Sequence, residues 1–315
     1  MPVLTFVTRR IGLLAFVLIA VSILTFAIVN VLPGDVANAV LGDLATPAQI
    51  VAVRQRMGLD QPLVLRYLTW AGGILHGNFG VSLQHDQPIA PMLFGRLGNS
   101  AILGLLSLLI AAPLAIALGT IAAIRPGSLL DRCISGFAVG VYALPEYVTG
   151  LIAILVFSIW LYWLPGTSLM DPKDNPLAHP EALVLPVGVL VFSLLAFISQ
   201  VTRAIMIQAL ASPYIRTAIL KGIPYRAVVL KHALPNILPP IVTEIGMNFG
   251  YVIGGLVVVE TLFSYAGLGQ LITSAVSFRD IPVLEAGVLV VAAAYGVGNL
   301  MADIAALLLN PRLRT

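Results

Sequence analysis

The chain has a single cysteine, Cys133, in 315 residues. An intrachain disulfide is thereby excluded, and the lack of a Cys/His cluster at ligand spacing argues against a zinc site. Charge is scarce too. Asp, Glu, Lys and Arg make up 10% of the residues against 59% hydrophobic ones, a balance that belongs to a membrane protein rather than a soluble domain. No Gly-x-x-x-x-Gly-Lys-Ser/Thr loop occurs, so the phosphate cradle of a nucleotide hydrolase is missing. His76, His85, His179 and His232 all fall outside the long apolar runs, which leaves a membrane-embedded hydrolase without a base. There is no internal repeat and no low-complexity tract. A net charge of +3 and a pI near 9.1 fit basic cytoplasmic loops, and no nucleic-acid partner is expected.

Six runs are long and apolar enough to cross a bilayer: 11–32, 99–124, 134–163, 183–205, 237–259 and 283–309. The first follows Arg9-Arg10 and precedes Ala37-Asn38-Ala39, a signal-peptide pattern, but it exceeds the roughly 7–15 residues of a cleaved apolar region and is expected to stay as a span. An even number of spans puts both termini on one side. With the termini inside, Arg9, Arg10, Arg125, Arg132, Arg203, Arg216, Lys221, Arg226, Lys231, Arg312 and Arg314 are cytoplasmic, and Asp131 is the one acid assigned to an inner loop. The fold class expected is an all-α polytopic membrane protein of six transmembrane helices. Its parts are an N-terminal span 1–32, an extracytoplasmic segment 33–98, a core 99–309 and a cytoplasmic tail 310–315. Segment 33–98 holds an amphipathic stretch from Pro47 to Gly58 and then YLTWAGGIL, and is expected to form a small helical subdomain lying on the membrane.

The loop between spans four and five, 212–236, carries Arg216, Lys221, Arg226, Lys231 and His232, and no acid occurs from Ala182 to Thr243. Ser212-Pro213 reads as an N-cap with proline at the first helical position. Gly222 ends that helix and Pro224 prevents its continuation. The result is a helix far too short to span. Ala218 and Gly222 lie four apart, and their shared face would admit the backbone of another protein. The alternative is a solvated basic loop that serves only membrane orientation.

These residues resemble the permease subunits of bacterial binding-protein-dependent ABC importers, whose cytoplasmic signature is Glu-Ala-Ala, three residues, Gly, nine residues, Ile-x-Leu-Pro. Here Arg216-Thr217-Ala218, Gly222 and His232-Ala233-Leu234-Pro235 stand at that spacing. Arginine and histidine in place of glutamate and isoleucine are similar to the B-type dipeptide/oligopeptide/nickel branch. Leu32-Pro33-Gly34-Asp35, Gly58-Leu59-Asp60-Gln61-Pro62, Gly77-Asn78-Phe79-Gly80-Val81-Ser82-Leu83, Glu260-Thr261-Leu262-Phe263, Gly267-Leu268-Gly269, Arg279-Asp280-Ile281-Pro282 and Asn310-Pro311-Arg312 resemble the same branch. Val36 and Ala266 replace prolines usual there. The resemblance implies a non-enzymatic transport subunit of the bacterial inner membrane, paired with a second homologous permease as a heterodimer. Two ATP-binding subunits, which would hold the ATP and Mg, and an extracytoplasmic solute-binding protein complete the assembly. Arg216, Thr217, Ala218, Lys221, Gly222 and Pro224 would form the helix that couples to the ATPases. Glu260, Phe263, Gly267 and Gly269 would form an outer gate or a binding-protein contact, with a plain structural turn as the alternative.

Three carboxylates fall within the expected spans: Glu146, Glu244 and Asp303. Each is costly in hydrocarbon and should face the bundle interior or a watery cavity. Glu244, Asn248 and Tyr251 share one helical face, and Tyr295, Asn299 and Asp303 share another. Glu146, Glu244, Asn248, Asn299 and Asp303 are thus candidates for a hydrated, weakly anionic path, with interhelical hydrogen bonding as the alternative. Gly246, Gly250 and Gly254 mark a face for close helix packing. The rival to the ATP-driven importer is an ATP-independent secondary transporter or channel for a small polar solute, for which the acid-free loop element would have no purpose.

Overall fold

The computed structural model describes residues 3–31, 46–57, 59–171 and 174–309. The expectations on Leu32 to Val36, Gly58 and Asn310 to Arg312 lie outside the described residues, as does the side chain of Tyr251. Twelve α-helices of eight or more residues among the described residues set the architecture: α1 (Val3–Val31), α2 (Pro47–Met57), α3 (Leu63–Leu75), α4 (Ile89–Ile124), α5 (Leu129–Tyr142), α6 (Glu146–Ala153), α7 (Pro180–Leu210), α8 (Pro213–Leu220), α9 (Leu234–Met247), α10 (Phe249–Leu262), α11 (Leu268–Ser277) and α12 (Ile281–Leu309). Among the described residues the β-type pairing is one isolated bridge, Val81 to Pro88.

Four helices, α1, α4, α7 and α12, are long and apolar enough to cross a membrane. The other two expected spans are broken. Residues 129–160 form α5 and α6, bent by 100° at 143–145, with α6 continuing as a π-helical stretch Ile154–Trp160. Pro145 explains the break, since it disfavours helical backbone at Leu144 and cannot donate to the preceding turn. The fifth run divides at Asn248, whose side-chain amide donates to the Glu244 carbonyl at 2.9 Å and so competes with the helix ladder. Helix α4 begins at Ile89, ahead of the expected 99, so residue 98 lies inside a helix rather than at a domain edge.

The centre of the molecule is the pairing of α4 with α7. Ser107, Ala111, Ala115, Gly119 and Ala123 recur every four residues on α4 and are all buried, a small-residue face that lets two backbones approach. A side chain at Gly119 would meet the Ser199 carbonyl at 2.5 Å and Thr202 Cβ at 2.7 Å. At one end of this pair the core takes in Ile198 and Met206 of α7, Ile215 and Ala218 of α8, Val228, Val229, and Ile237 and Ile241 of α9. Towards the other end, Leu103 of α4 packs with Leu183 to Leu190 of α7 and with Val259, Phe263 and Tyr265. A third cluster joins Ile89 and Leu93 of α4 to Leu271 of α11 and to Val283 and Val290 of α12.

Candidate functional site

Helix α8 is built as its sequence dictates, with Pro213 at the first helical position and Gly222 at φ +75° just past the end. Left-handed backbone there is what glycine adopts freely. It lets the Gly222 amide reach Ile219 O at 2.9 Å and the Ile223 amide reach Ala218 O at 3.3 Å, closing the helix end. The chain then turns through Pro224 and Tyr225–Ala227 into a π-helical stretch, Val228–Ala233.

Only part of the expected docking face is on the surface. Ala218 is buried with Ile215 against the α4–α7 core, so it anchors α8. Gly222 is exposed, with open space where a side chain would project. The outward face carries Arg216, Thr217, Lys221 and Pro224, and with them Tyr214, Ile219 and Leu220, the last 80% exposed. Charge and small residues in the sequence did not point to those three apolar side chains. Their signal was their lying out of phase with Ile215 and Ala218 on so short a helix.

Where α7 runs towards α8, it is tied to α5. Arg203 donates to both oxygens of Asp131, Nε to Oδ1 at 2.5 Å and Nη2 to Oδ2 at 2.7 Å. Asp131 also accepts from the Gly127 amide at 2.7 Å and from Ser135 Oγ at 3.1 Å. Ser128 caps the same helix through the Asp131 amide. Every lone pair of this buried carboxylate is thus engaged, the condition for a charge to be held out of water. Asp131 is therefore no loop residue; a Ser-x-x-Asp start to α5 was the available clue.

The three carboxylates expected within the spans separate into two kinds. Asp303 is ion-paired with Arg10 of α1, Nε to Oδ2 at 3.0 Å and Nη2 to Oδ1 at 3.2 Å. It faces another helix and its charge is compensated. Glu146, at the first turn of α6 beside the 100° bend, and Glu244 of α9 are partly exposed, and among the described residues their carboxylates have no hydrogen-bonding or ion-pair partner. The Glu146 carboxylate lies against Gly255, where a side chain would meet Oε1 at 3.5 Å. Asn248 is occupied at the helix break and Asn299 is partly exposed on α12. Gly246 and Gly250 do pack closely, against Ala302 and Tyr295 of α12, while Gly254 meets nothing.

The connection after α10 is a buried lock. Glu260, Phe263, Gly267 and Gly269 are all buried inside the chain. Glu260 caps α11, accepting from the Gly269 amide at 2.7 Å and the Gln270 amide at 3.3 Å, while Ser100 Oγ of α4 donates to its other oxygen at 2.5 Å. A carboxylate at a helix N-terminus satisfies amides that have no partner within the helix. A side chain on Gly267 would overlap that carboxyl, and one on Gly269 would meet Val257 Cα at 2.7 Å. Tyr265 OH donates to Asn99 O at 2.8 Å, and Asn99 Nδ2 to Ala266 O at 2.9 Å. Burial, and then the Glu260 charge, push the Tyr265 phenol above the usual tyrosine range.

The sequence matches two family descriptions, "Binding-protein-dependent transport system inner membrane component" over residues 115–315 and the N-terminal part of such membrane components over residues 3–101. Among curated proteins it is 33% identical over 309 residues to the "Probable peptide ABC transporter permease protein" of Sinorhizobium fredii, covering 98% of this chain and 99% of that one. It is 34% identical over 332 residues to the "Di/tripeptide transport system permease protein" of Pseudomonas aeruginosa, covering 99% of each.

Proposed function

The chain belongs to the family of binding-protein-dependent transport system inner membrane components, and from that premise we propose that it forms half of the pathway by which a bacterial importer carries di- or oligopeptides across the inner membrane. It is a multi-pass transport component rather than an enzyme, and its family works with ATPase and binding-protein components. Two ATP-binding subunits that hold ATP and Mg, a second homologous permease and an extracytoplasmic binding protein make up the assembly. Both termini are cytoplasmic.

The observation that carries this reading is the two-sided build of α8. Ile215 and Ala218 root it in the core shared with α4, α7 and α9, while Arg216, Lys221, Ile219 and Leu220 stand free beside the exposed Gly222. An ATPase seated on that outer face drives the inner ends of α7 and α9 with it, and the Asp131–Arg203 pair carries α5 along with α7. Thr217 and Pro224 border the seat. Glu146 and Glu244, uncompensated among the described residues, line the path with Asn299 and favour the ammonium end of a peptide; Asp303 and Asn248 support its walls. The lock around Glu260, Phe263, Gly267 and Gly269 holds the outer gate's backbone in shape from within.

The test is to tag the chain in its native host, solubilise gently and identify copurifying proteins for wild type, Leu220→Asp and Gly222→Asp. ATPase subunits should accompany the wild type and be lost from monodisperse variants. Were no ATPase found with the wild type even after cross-linking, the ATP-independent transporter would take its place.

A further inference from the structure

We propose that α3 is a half-inserted helix: it lies within the hydrocarbon edge of one leaflet alongside α1, with lipid acyl chains covering its outward face. At 13 residues it is about 20 Å long, too short for a hydrocarbon core of about 30 Å. It is nevertheless apolar beyond the face packed on α1 as well as on that face. Tyr67 and Trp70 pack on Phe26 of α1 with ring centroids 5.5 and 5.7 Å away. Val64, Leu68 and Leu75 lie beside that contact and stay exposed by 70, 59 and 86%.

Depth is set by one hydrogen bond. Tyr67 OH lies 2.9 Å from Ser22 Oγ, and Ser22 sits seven residues before Val29, the end of the apolar stretch of α1. Seven residues correspond to about 10 Å of helix. A helix bonded at that level cannot float in water above a bilayer that α1 crosses. At the same height α1 exposes Ile23, Leu24 and Ile28, so the two helices present a continuous apolar wall rather than a groove shaped for a protein.

Insertion requires that polar groups be satisfied internally, and α3 meets that demand at Thr69 and at its C-terminal end, while the buried indole N–H of Trp70 has no partner among the described residues. Thr69 Oγ1 donates to Leu65 O at 2.9 Å. At the C-terminal end the amides of His76, Gly77 and Asn78 donate to the carbonyls of Gly72, Gly73 and Ile74, and His76 Nδ1 lies 2.7 Å from Gly72 O. Arg66, the one charged residue of the helix, stands 5.8 Å from the Phe26 ring centroid and within the field of Glu285 on α12. This placement is independent of which solute is carried and of whether an ATPase docks.

The experiment starts from a Cys133→Ser chain into which single cysteines are placed at Val64, at Leu68 and, as a control in the polar loop ahead of α3, at Gln61. Each is labelled with bimane in the full-length chain, with its copurifying partners, in phosphatidylcholine nanodiscs. Labels at 64 and 68 should lose roughly half or more of their fluorescence when the upper acyl carbons are brominated and be untouched by aqueous iodide, with the reverse at 61. Iodide quenching at 64 and 68 would overturn the inference in favour of a water-exposed helix. Indifference to both quenchers would overturn it in favour of a covering protein. The two sites report independently, so one poorly folded variant does not decide the outcome.

Discussion

Ser82 Oγ donates to the Asp280 carboxylate at 2.5 Å across 198 residues of chain, and the amides of Leu83 and Gln84 reach the same carboxylate at 3.2 and 3.3 Å. Two motifs that looked unrelated, Gly77 to Leu83 and Arg279 to Pro282, are thus the two halves of one clasp between the loop ahead of α4 and the start of α12.

Asp280→Ala would leave one hydroxyl and two amides without their acceptor. The expected loss is on the order of 1–3 kcal/mol, read as a lower melting temperature in detergent, whereas Asp280→Asn keeps an acceptor oxygen and should lose less. Equal melting of Asp280→Ala and wild type would show that the clasp does not contribute to stability.

Gly267→Ala and Gly254→Ala form a matched pair. The first inserts a methyl into the space of the Glu260 carboxyl, while the second meets nothing within 4 Å. Overpacking of about 1–3 kcal/mol or more should make Gly267→Ala elute as aggregate in size-exclusion chromatography, with Gly254→Ala monodisperse.

Breaking the half-buried pair by Asp131→Ala leaves Arg203 without its carboxylate and should cost about 1–3 kcal/mol. A joint replacement, Asp131→Leu with Arg203→Met, should recover much of the melting temperature. If the pair also carries motion from α7 to α5, the double variant remains stable yet transports poorly, a separation that a purely structural role would not produce.

Transport assays distinguish the carboxylates. On the proposed role of Glu146 and Glu244 in the path, Glu146→Gln and Glu244→Gln should each lower peptide uptake several-fold while leaving ATPase copurification intact. Asp303→Asn, which weakens the tie between α12 and Arg10 of α1, should instead act first on melting temperature. Unchanged uptake in Glu146→Gln takes that residue out of the path.

How far the chain could be read in advance depended on the range of each interaction. The start and end of α8 followed from Pro213 and Gly222 because proline's fixed backbone and glycine's left-handed backbone are local, whereas Ser212 makes no capping bond and donates to Ala209 O instead. The break at Pro145 was equally local, yet hydropathy averaged over a window hid it. The inward turn of Ala218, the pairing of Asp303 with Arg10 and the burial of Glu260 were not legible, since each depends on a partner far along the chain.

The amino-acid sequence by itself determined that this is a helical membrane protein, where its apolar runs lie and that a short basic helix interrupts them, because hydropathy, proline and glycine act on a residue and its near neighbours. Only the tertiary structure decided which carboxylates are compensated and which side of α8 is free. Packing α8 on α4 and α7 used one helical face and left the other, and whether a charge meets a counter-charge is a matter of distance in space, which spacing along the chain does not contain.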